Sequence, residues 1–359
     1  MATDLLLNAV GRASGGYCDP ETDGELLCID VHDETHDVKS FTFVSPERKQ
    51  FEFSAGQYFK FELGLDNEDD GRCYSVSSSP LRKNAITVTV KRVPGGRVSN
   101  WLHDNLIPNM AVRASGPLGR FIRPAAKKYL FLSGGSGITP FMSMARELAD
   151  TAESTDVIFL HAGRNPKDLI FREEAANIAR RVKGFRLLLL PEDIGTERGW
   201  PGISGRISKE FLALAAPDIS DRVVMCCGPA PFMAAARKIS VELGVPESNY
   251  LEESFDGVVI EAPAPAFEAV ETKSFSVQFS KQGKYIDVRA DQTVLSCAKK
   301  SGVRIPSSCA SGICGTCKSK LVSGSVDMKH DGGIRQREID AGFFLPCCSR
   351  PLSDLIVER

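Results

Sequence analysis

Apolar and polar residues alternate with two different periods along this chain, and the period changes near residue 125. Before that point, "ELLCIDVHDE", "VKSFTFVSP", "QYFKFEL" and "ITVTVKRV" are short alternating segments separated by turn residues. A side-chain period of two belongs to half-buried strands, so residues 25–124 are predicted to form an antiparallel β-barrel. From 125 to 256 the apolar runs lengthen. "KYLFLSGG", "DVIFLHAG", "FRLLLLPE" and "RVVMCCGP" read as buried strands, each followed by a helical segment. In "TPFMSMARELA" the residues Phe141, Met144, Ala145 and Leu148 share one helical face. Strands exchanging with helices predict a parallel sheet in an α/β domain. Residues 257–272, "GVVIEAPAPAFEAVET", have little periodicity and read as a semi-extended linker to a third module, 273–359.

Composition narrows the class. The chain has 359 residues, 42% of them hydrophobic and 25% charged, an ordinary multidomain globular balance. A net charge of −2 gives no reason to expect nucleic acid. The charge is uneven, however: Lys273–Arg359 holds fourteen Lys and Arg against eight Asp and Glu, a local +6. No basic stretch followed by an apolar one opens the chain, and no apolar run approaches the roughly 18 residues of a membrane span. A reducing, cytoplasmic setting is expected, and there eleven cysteines favour metal or redox chemistry over disulfides.

Three of those cysteines crowd into "SSCASGICGTCKSK", where Cys309, Cys314 and Cys317 are spaced C-x4-C-x2-C. A fourth thiol is offered by "GFFLPCCSRP", as Cys347 or Cys348. This order is the plant-type [2Fe–2S] spacing, whereas structural zinc more often takes two separated C-x2-4-C pairs. Gly312 and Gly315 suit a loop that turns backbone N–H groups towards anionic sulfur. The five histidines, at 32, 36, 103, 161 and 330, form no ligand-spaced set.

Four stretches upstream exceed what a fold needs. "RCYSVSSSP" places Arg72 and Tyr74 on one face of a strand, with Ser75 next to them. "GGRVSNWL" leads two glycines into a helix, with Ser99 either its cap or an anion ligand. The turn Gly134–Pro140 would aim N–H groups at a pyrophosphate, although it is not a strict G-x-G-x-x-G. "CCGP" closes a later strand. No acid closes the second parallel strand, where a ribose ligand is expected; Arg164 stands there instead.

Taken together, R-x-Y-S, G-x-x-S, G-G-x-G-x-T-P and C-G-P resemble the ferredoxin–NADP reductase superfamily over roughly residues 25–256. Residues 273–359 resemble a plant-type ferredoxin, which implies an α+β β-grasp fold and, through its L-x-C-x-S pattern, selects Cys347 as the fourth ligand. The three-part order resembles reductase components of oxygenases, and reductases of hybrid-cluster proteins are similar in order. The resemblance implies FAD, held by Arg72, Tyr74, Ser75, the backbone of Gly96–Val98, and Ser99. It implies NADH, with NADPH possible, near Gly135, Gly137, Thr139, Arg164, Gly228 and Pro229. Cys227 would approach the nicotinamide, and Glu253 and Phe255 would end the last strand near the flavin. The implied partner is a Rieske-type oxygenase that N-demethylates a quaternary amine such as glycine betaine. A carrier without nucleotide turnover is the alternative from outside enzymes. The basic third module would favour a partner with acidic residues at its electron-entry site.

Overall fold

The computed structural model describes residues 16–17, 24–65, 71–153, 155–197, 199–255, 273–303, 305, 307, 312, 315, 317–330 and 333–359. They form two compact units, the first holding two sheets up to Glu253, the second a sheet that begins at Ser274. The 257–272 linker lies outside the described residues.

The first sheet is the expected antiparallel one. Its strands are β1 (Glu25–Thr35), β2 (Val38–Val44), β3 (Tyr58–Glu62), β4 (Arg72–Ser75), β5 (Ile86–Lys91) and β6 (Ala111–Leu118), ordered β4-β3-β6-β1-β2-β5. An antiparallel bridge from Val76 to Val88 joins the end of β4 to β5, which closes the sheet into a barrel. Alternation puts Leu26, Phe41, Phe43, Phe61, Val88 and Val90 inside. Helix α1 (Arg97–Asn105) covers one end with Val98 and Leu102. Across β2 and β5 the off-core positions form hydroxyl pairs, Ser40–Thr89 at 2.8 Å and Thr42–Thr87 at 3.0 Å.

The second sheet is parallel. It comprises β7 (Lys128–Gly134), β8 (Asp156–Gly163), β9 (Phe185–Pro191), β10 (Val223–Cys227) and β11 (Tyr250–Glu253), ordered β11-β10-β7-β8-β9. Between them run α2 (Thr139–Thr151), α3 (Arg172–Arg181), α4 (Lys209–Ala215) and α5 (Ala230–Glu242). The apolar face anticipated for α2 is buried: Phe141, Met144, Ala145 and Leu148 are all fully covered. Arg222, buried at the start of β10, is held by Asp156 and Asp218 at 2.9 and 2.8 Å.

Polar contacts hold α2 to the barrel. Ser143 donates its hydroxyl to the Ser78 carbonyl at 2.7 Å, and Arg146 donates to the Ser77 carbonyl at 2.5 Å. Arg146 is itself clamped by both oxygens of Glu174, at 2.8 and 2.6 Å, and lies over the Phe171 ring.

The second unit is a mixed sheet over one helix, as a β-grasp requires. Strands β12 (Ser274–Phe279) and β13 (Lys284–Arg289) form an antiparallel hairpin, and α6 (Val294–Lys300) follows, capped by Thr293. Then come β14 (Ser319–Ser323), β15 (Val326–Met328), α7 (Gln336–Asp340), β16 (Phe343–Phe344), β17 (Ser349–Pro351) and β18 (Leu355–Glu358), with main order β13-β12-β18-β14-β16. The apolar run before the paired cysteines is a strand of only two residues. The Leu295 N–H donates to the Pro346 carbonyl at 2.9 Å, which ties α6 to the segment carrying Cys347. Among the described residues no helix is long and apolar enough to cross a membrane.

Candidate redox site

Arg72, Tyr74 and Ser75 all belong to β4. Tyr74 packs its ring 5.8 Å from Phe61, Ser75 is buried, and Arg72 donates to the Gly71 carbonyl at 2.7 Å. The turn before α1 differs from the simplest expectation, because Gly96, not Ser99, is the N-cap. Ser99 lies one turn inside, where its hydroxyl accepts from the Val93 N–H at 3.2 Å and faces the Gly96 carbonyl at 3.5 Å. Glycine brings no capping side chain, so the first N–H groups of α1, beginning with Arg97 and Val98, remain available to an anion.

The parallel sheet supplies the second half. Strands β8 and β9 lie on one side of β7, while β10 and β11 lie on the other. The chain reverses direction between β7 and β10, and ligands of open α/β sheets bind in the crevice outside strand ends at such a point. The glycine turn and C-G-P meet there. A Cβ on Gly137 would sit 2.3 Å from the Cys227 carbonyl oxygen, and one on Gly228 3.0 Å from the Gly134 nitrogen. Gly135 takes φ +53°, a left-handed conformation suited to glycine. Thr139 donates its hydroxyl to the Ser136 carbonyl at 3.2 Å. Helix α2 starts from this turn, and α5 starts from Pro229; neither N-terminus has a side-chain cap. Two open helix N-termini beside bare backbone fit a dinucleotide pyrophosphate.

Strand register sets a row across this sheet: Glu253, Cys227, Ser133 and His161 are successive partners. Cys227 is fully buried, as is Cys226 on the opposite face. Burial pushes the Cys226 thiol up to about 12, against the lowering contact of Tyr250. His161 contacts the Ser133 hydroxyl through Nδ1 at 2.9 Å, and burial holds its ring down at about 3, so it is neutral. Glu253 is half-buried at the end of β11, and Phe255 is exposed just beyond it.

Beyond β8 and β9 lies a cleft of about 350 Å³, lined by Arg164–Lys167 and Asp193–Glu197. Arg164 lines it as anticipated, but its charge is already engaged: Nε donates to Asp168 at 2.7 Å and Nη2 reaches Asp37 at 3.4 Å. Sequence reasoning missed Asp37, Asp168 and the acidic loop after β9. Asp168 is four residues from Arg164, whereas only the fold brings Asp37 to it across 127 positions.

In the second unit, Cys317 and Cys347 are each 3% exposed and share one hydrophobic cluster. Cys309 and Cys314 lie outside the described residues. Cys348 is half-buried, its thiol facing the Leu345 carbonyl at 3.6 Å. A Cβ on Gly312 would lie 2.8 Å from that sulfur, and one on Gly315 would lie 2.5 Å from the Gly333 carbonyl oxygen. With φ of +76° and +68°, both loop glycines are required by conformation as well as by space. Two buried thiols beside a loop of this backbone fit a thiolate-held cluster. The basic surface is partly neutralised where Lys318 pairs with Glu338 at 2.5 Å, while Lys320 keeps its charge over the Phe343 ring.

Three family models match in series: "Oxidoreductase FAD-binding domain" over 26–122, "Oxidoreductase NAD-binding domain" over 131–238 and "2Fe-2S iron-sulfur cluster binding domain" over 277–352. The chain is 41% identical to the glycine betaine monooxygenase reductase subunit of Pseudomonas aeruginosa, over 93% of this chain and 94% of that one. The chain belongs to the family of monooxygenase reductase subunits. Another member, the stachydrine N-demethylase reductase subunit of Rhizobium meliloti, is 37% identical over 93% of this chain and 96% of its own. The solved phthalate dioxygenase reductase, described as a modular structure for electron transfer from pyridine nucleotides to [2Fe-2S], is also similar. It has a TM-score of 0.58 and 25% identity, covering 95% of this chain and 100% of that one. As a reductase subunit of this family the chain is an oxidoreductase with FAD-binding, NAD-binding and [2Fe–2S] domains.

Proposed function

We propose that this reductase oxidises NADH and delivers the electrons to a Rieske-type oxygenase that N-demethylates a quaternary amine, glycine betaine being the leading candidate. The observation that carries the reading is the meeting of the glycine turn and C-G-P at the β7/β10 crevice, in one chain with the cysteine-bearing β-grasp unit. Relatives named for glycine betaine and stachydrine support the choice of partner. The domains run 25–124, 125–256 and 273–359 with a 257–272 linker, and the setting is cytoplasmic.

When bound, the flavin takes a pair of electrons from the nicotinamide, and the cluster hands them on singly. The chain's part is to bind and orient. Arg72 would hold the flavin pyrophosphate, Tyr74 and Ser75 would contact its ring system, and the backbone of Gly96–Val98 with Ser99 would complete the pyrophosphate cradle. Gly135, Gly137, Thr139, Gly228 and Pro229 would cradle the dinucleotide, Cys227 would approach the nicotinamide, and Glu253 and Phe255 would end the last strand near the flavin. Cys309, Cys314, Cys317 and Cys347 hold the cluster. The net positive charge of residues 273–359 would steer an acidic partner, an attraction screened over roughly 8–10 Å at 0.1–0.15 M salt.

The test is reconstitution. Purified chain, NADH and a Rieske-type oxygenase should release formaldehyde from glycine betaine, and omission of the chain should stop it. A flavin not bleached by NADH would overturn the reductase reading. Bleaching followed by delivery to a hybrid-cluster protein in place of any Rieske-type oxygenase would overturn the partner.

A further inference from the structure

Arg164 stands where a cation would meet the 2′-phosphate that distinguishes NADPH from NADH, yet its surroundings withhold it. Asp168 carries a side chain only 4% exposed and lies four residues on. Its Oδ2 accepts from Arg164 Nε at 2.7 Å and from Asn165 at 3.1 Å. Its other oxygen is buried without a hydrogen bond among the described residues, and His36 Nδ1 stands 3.7 Å from the carboxylate. A buried carboxylate holds a paired guanidinium tightly, because pulling that cation away leaves an uncompensated charge. From the barrel, Asp37 reaches the same guanidinium at 3.4 Å and is anchored by Lys91 at 2.8 Å. Among the described residues the cleft lining also holds Lys167, Asp193 and Glu197, Glu197 being held by Arg172 at 2.9 Å. The cleft thus presents an arginine already paired with two aspartates, which leaves it little charge to offer an added phosphate.

We propose that Asp168 and Asp37 are specificity-determining residues: by holding Arg164 they set the preference for NADH over NADPH. The inference rests on the reading of this cleft as the adenosine end of the nucleotide site. It makes a barrel residue, remote in sequence from the nucleotide domain, part of coenzyme choice. Neither aspartate touches the reacting atoms; both act through the arginine.

Two measurements test it. The first is the NADPH-to-NADH ratio of kcat/KM for flavin reduction in the intact holoprotein. It should rise about tenfold in Asp168→Asn and about threefold in Asp37→Asn, as a released guanidinium gains a charge-assisted phosphate contact. The gain should vanish when Arg164→Ala is added to either variant. A ratio that stays at the wild-type value in Asp37→Asn, or a gain that survives Arg164→Ala, would overturn the proposal. Where Asp168→Asn loses bound flavin or its native melting transition, Asp37→Asn decides alone. The second is calorimetric affinity for adenosine 2′,5′-bisphosphate against AMP, which should shift in the same direction and order. It needs no turnover, so a chain not reduced by NADH would sink the reductase reading while this affinity ratio still decided the selectivity.

Discussion

Gly137→Ala adds one carbon at the tightest point between the glycine turn and C-G-P. Its Cβ would meet the Cys227 carbonyl oxygen at 2.3 Å, the Cys227 carbonyl carbon at 2.5 Å and the Gly228 nitrogen at 2.7 Å. Ordinary contact begins near 3.4 Å, so the turn must retreat by about 1 Å. All three neighbours are backbone, and no side chain can swing aside. Overpacking of this kind costs about 1–3 kcal/mol of stability. A 1 Å displacement of a positioning element costs up to about a hundredfold in rate. Stopped-flow bleaching of the flavin by NADH should therefore slow by about ten- to a hundredfold, with flavin content retained because the barrel is untouched. Gly135→Ala is the internal control. Its Cβ meets nothing within 4 Å and only the left-handed φ of +53° is strained, an effect of about 1–2 kcal/mol on stability. A Gly137→Ala protein that bleaches at the wild-type rate would refute the assignment of this turn to the nucleotide.

In the second unit, Cys347→Ser should abolish the visible [2Fe–2S] spectrum while Cys348→Ser keeps it with two irons and two sulfides; the opposite pattern would exchange the ligands. Asp218 is held down at about 2 from an ordinary 3.8, chiefly by its hydrogen bond from Arg222. A carboxyl lowered on folding contributes stability above its unfolded value and loses it as pH falls. Thermal stability should thus decline from about pH 4 towards pH 2, and Arg222→Met should remove that part of the decline; an unchanged slope would show the pair to be idle. Cys226, with its thiol pushed up to about 12 by burial, should resist iodoacetamide at pH 8 until the chain unfolds, as peptide mass spectrometry would show; labelling in the native protein would contradict the burial.

The barrel and the parallel sheet were legible because each imposes one side-chain period over many residues, and burial rewards that period wherever the strand lies. The β-grasp hairpin was reached through the resemblance to a plant-type ferredoxin, and its helix begins at a Thr293 cap. The meeting of Gly137 with Cys227 was not, since "GGSGITP" looks the same whether or not another backbone presses on it. Arg164 shows the opposite failure. Its place at the end of β8 was readable; its partner Asp168 lies only four residues on, but its second partner, Asp37, comes from a different domain and leaves no local pattern. The sequence left Ser99 open between cap and anion ligand; the helix begins three residues earlier, with Gly96 as its N-cap.

The joint between α2 and the barrel grips carbonyl oxygens of Ser77 and Ser78, not their side chains. Every residue type supplies that oxygen. Sequence drift along this barrel edge therefore leaves those two contacts intact, provided the strand path holds, whereas on the other side only Ser143 and Arg146 can make them. The joint is one-sided in its vulnerability. A barrel from a distant relative, grafted onto this nucleotide domain, would keep these two contacts without any of its own residues having been chosen for them.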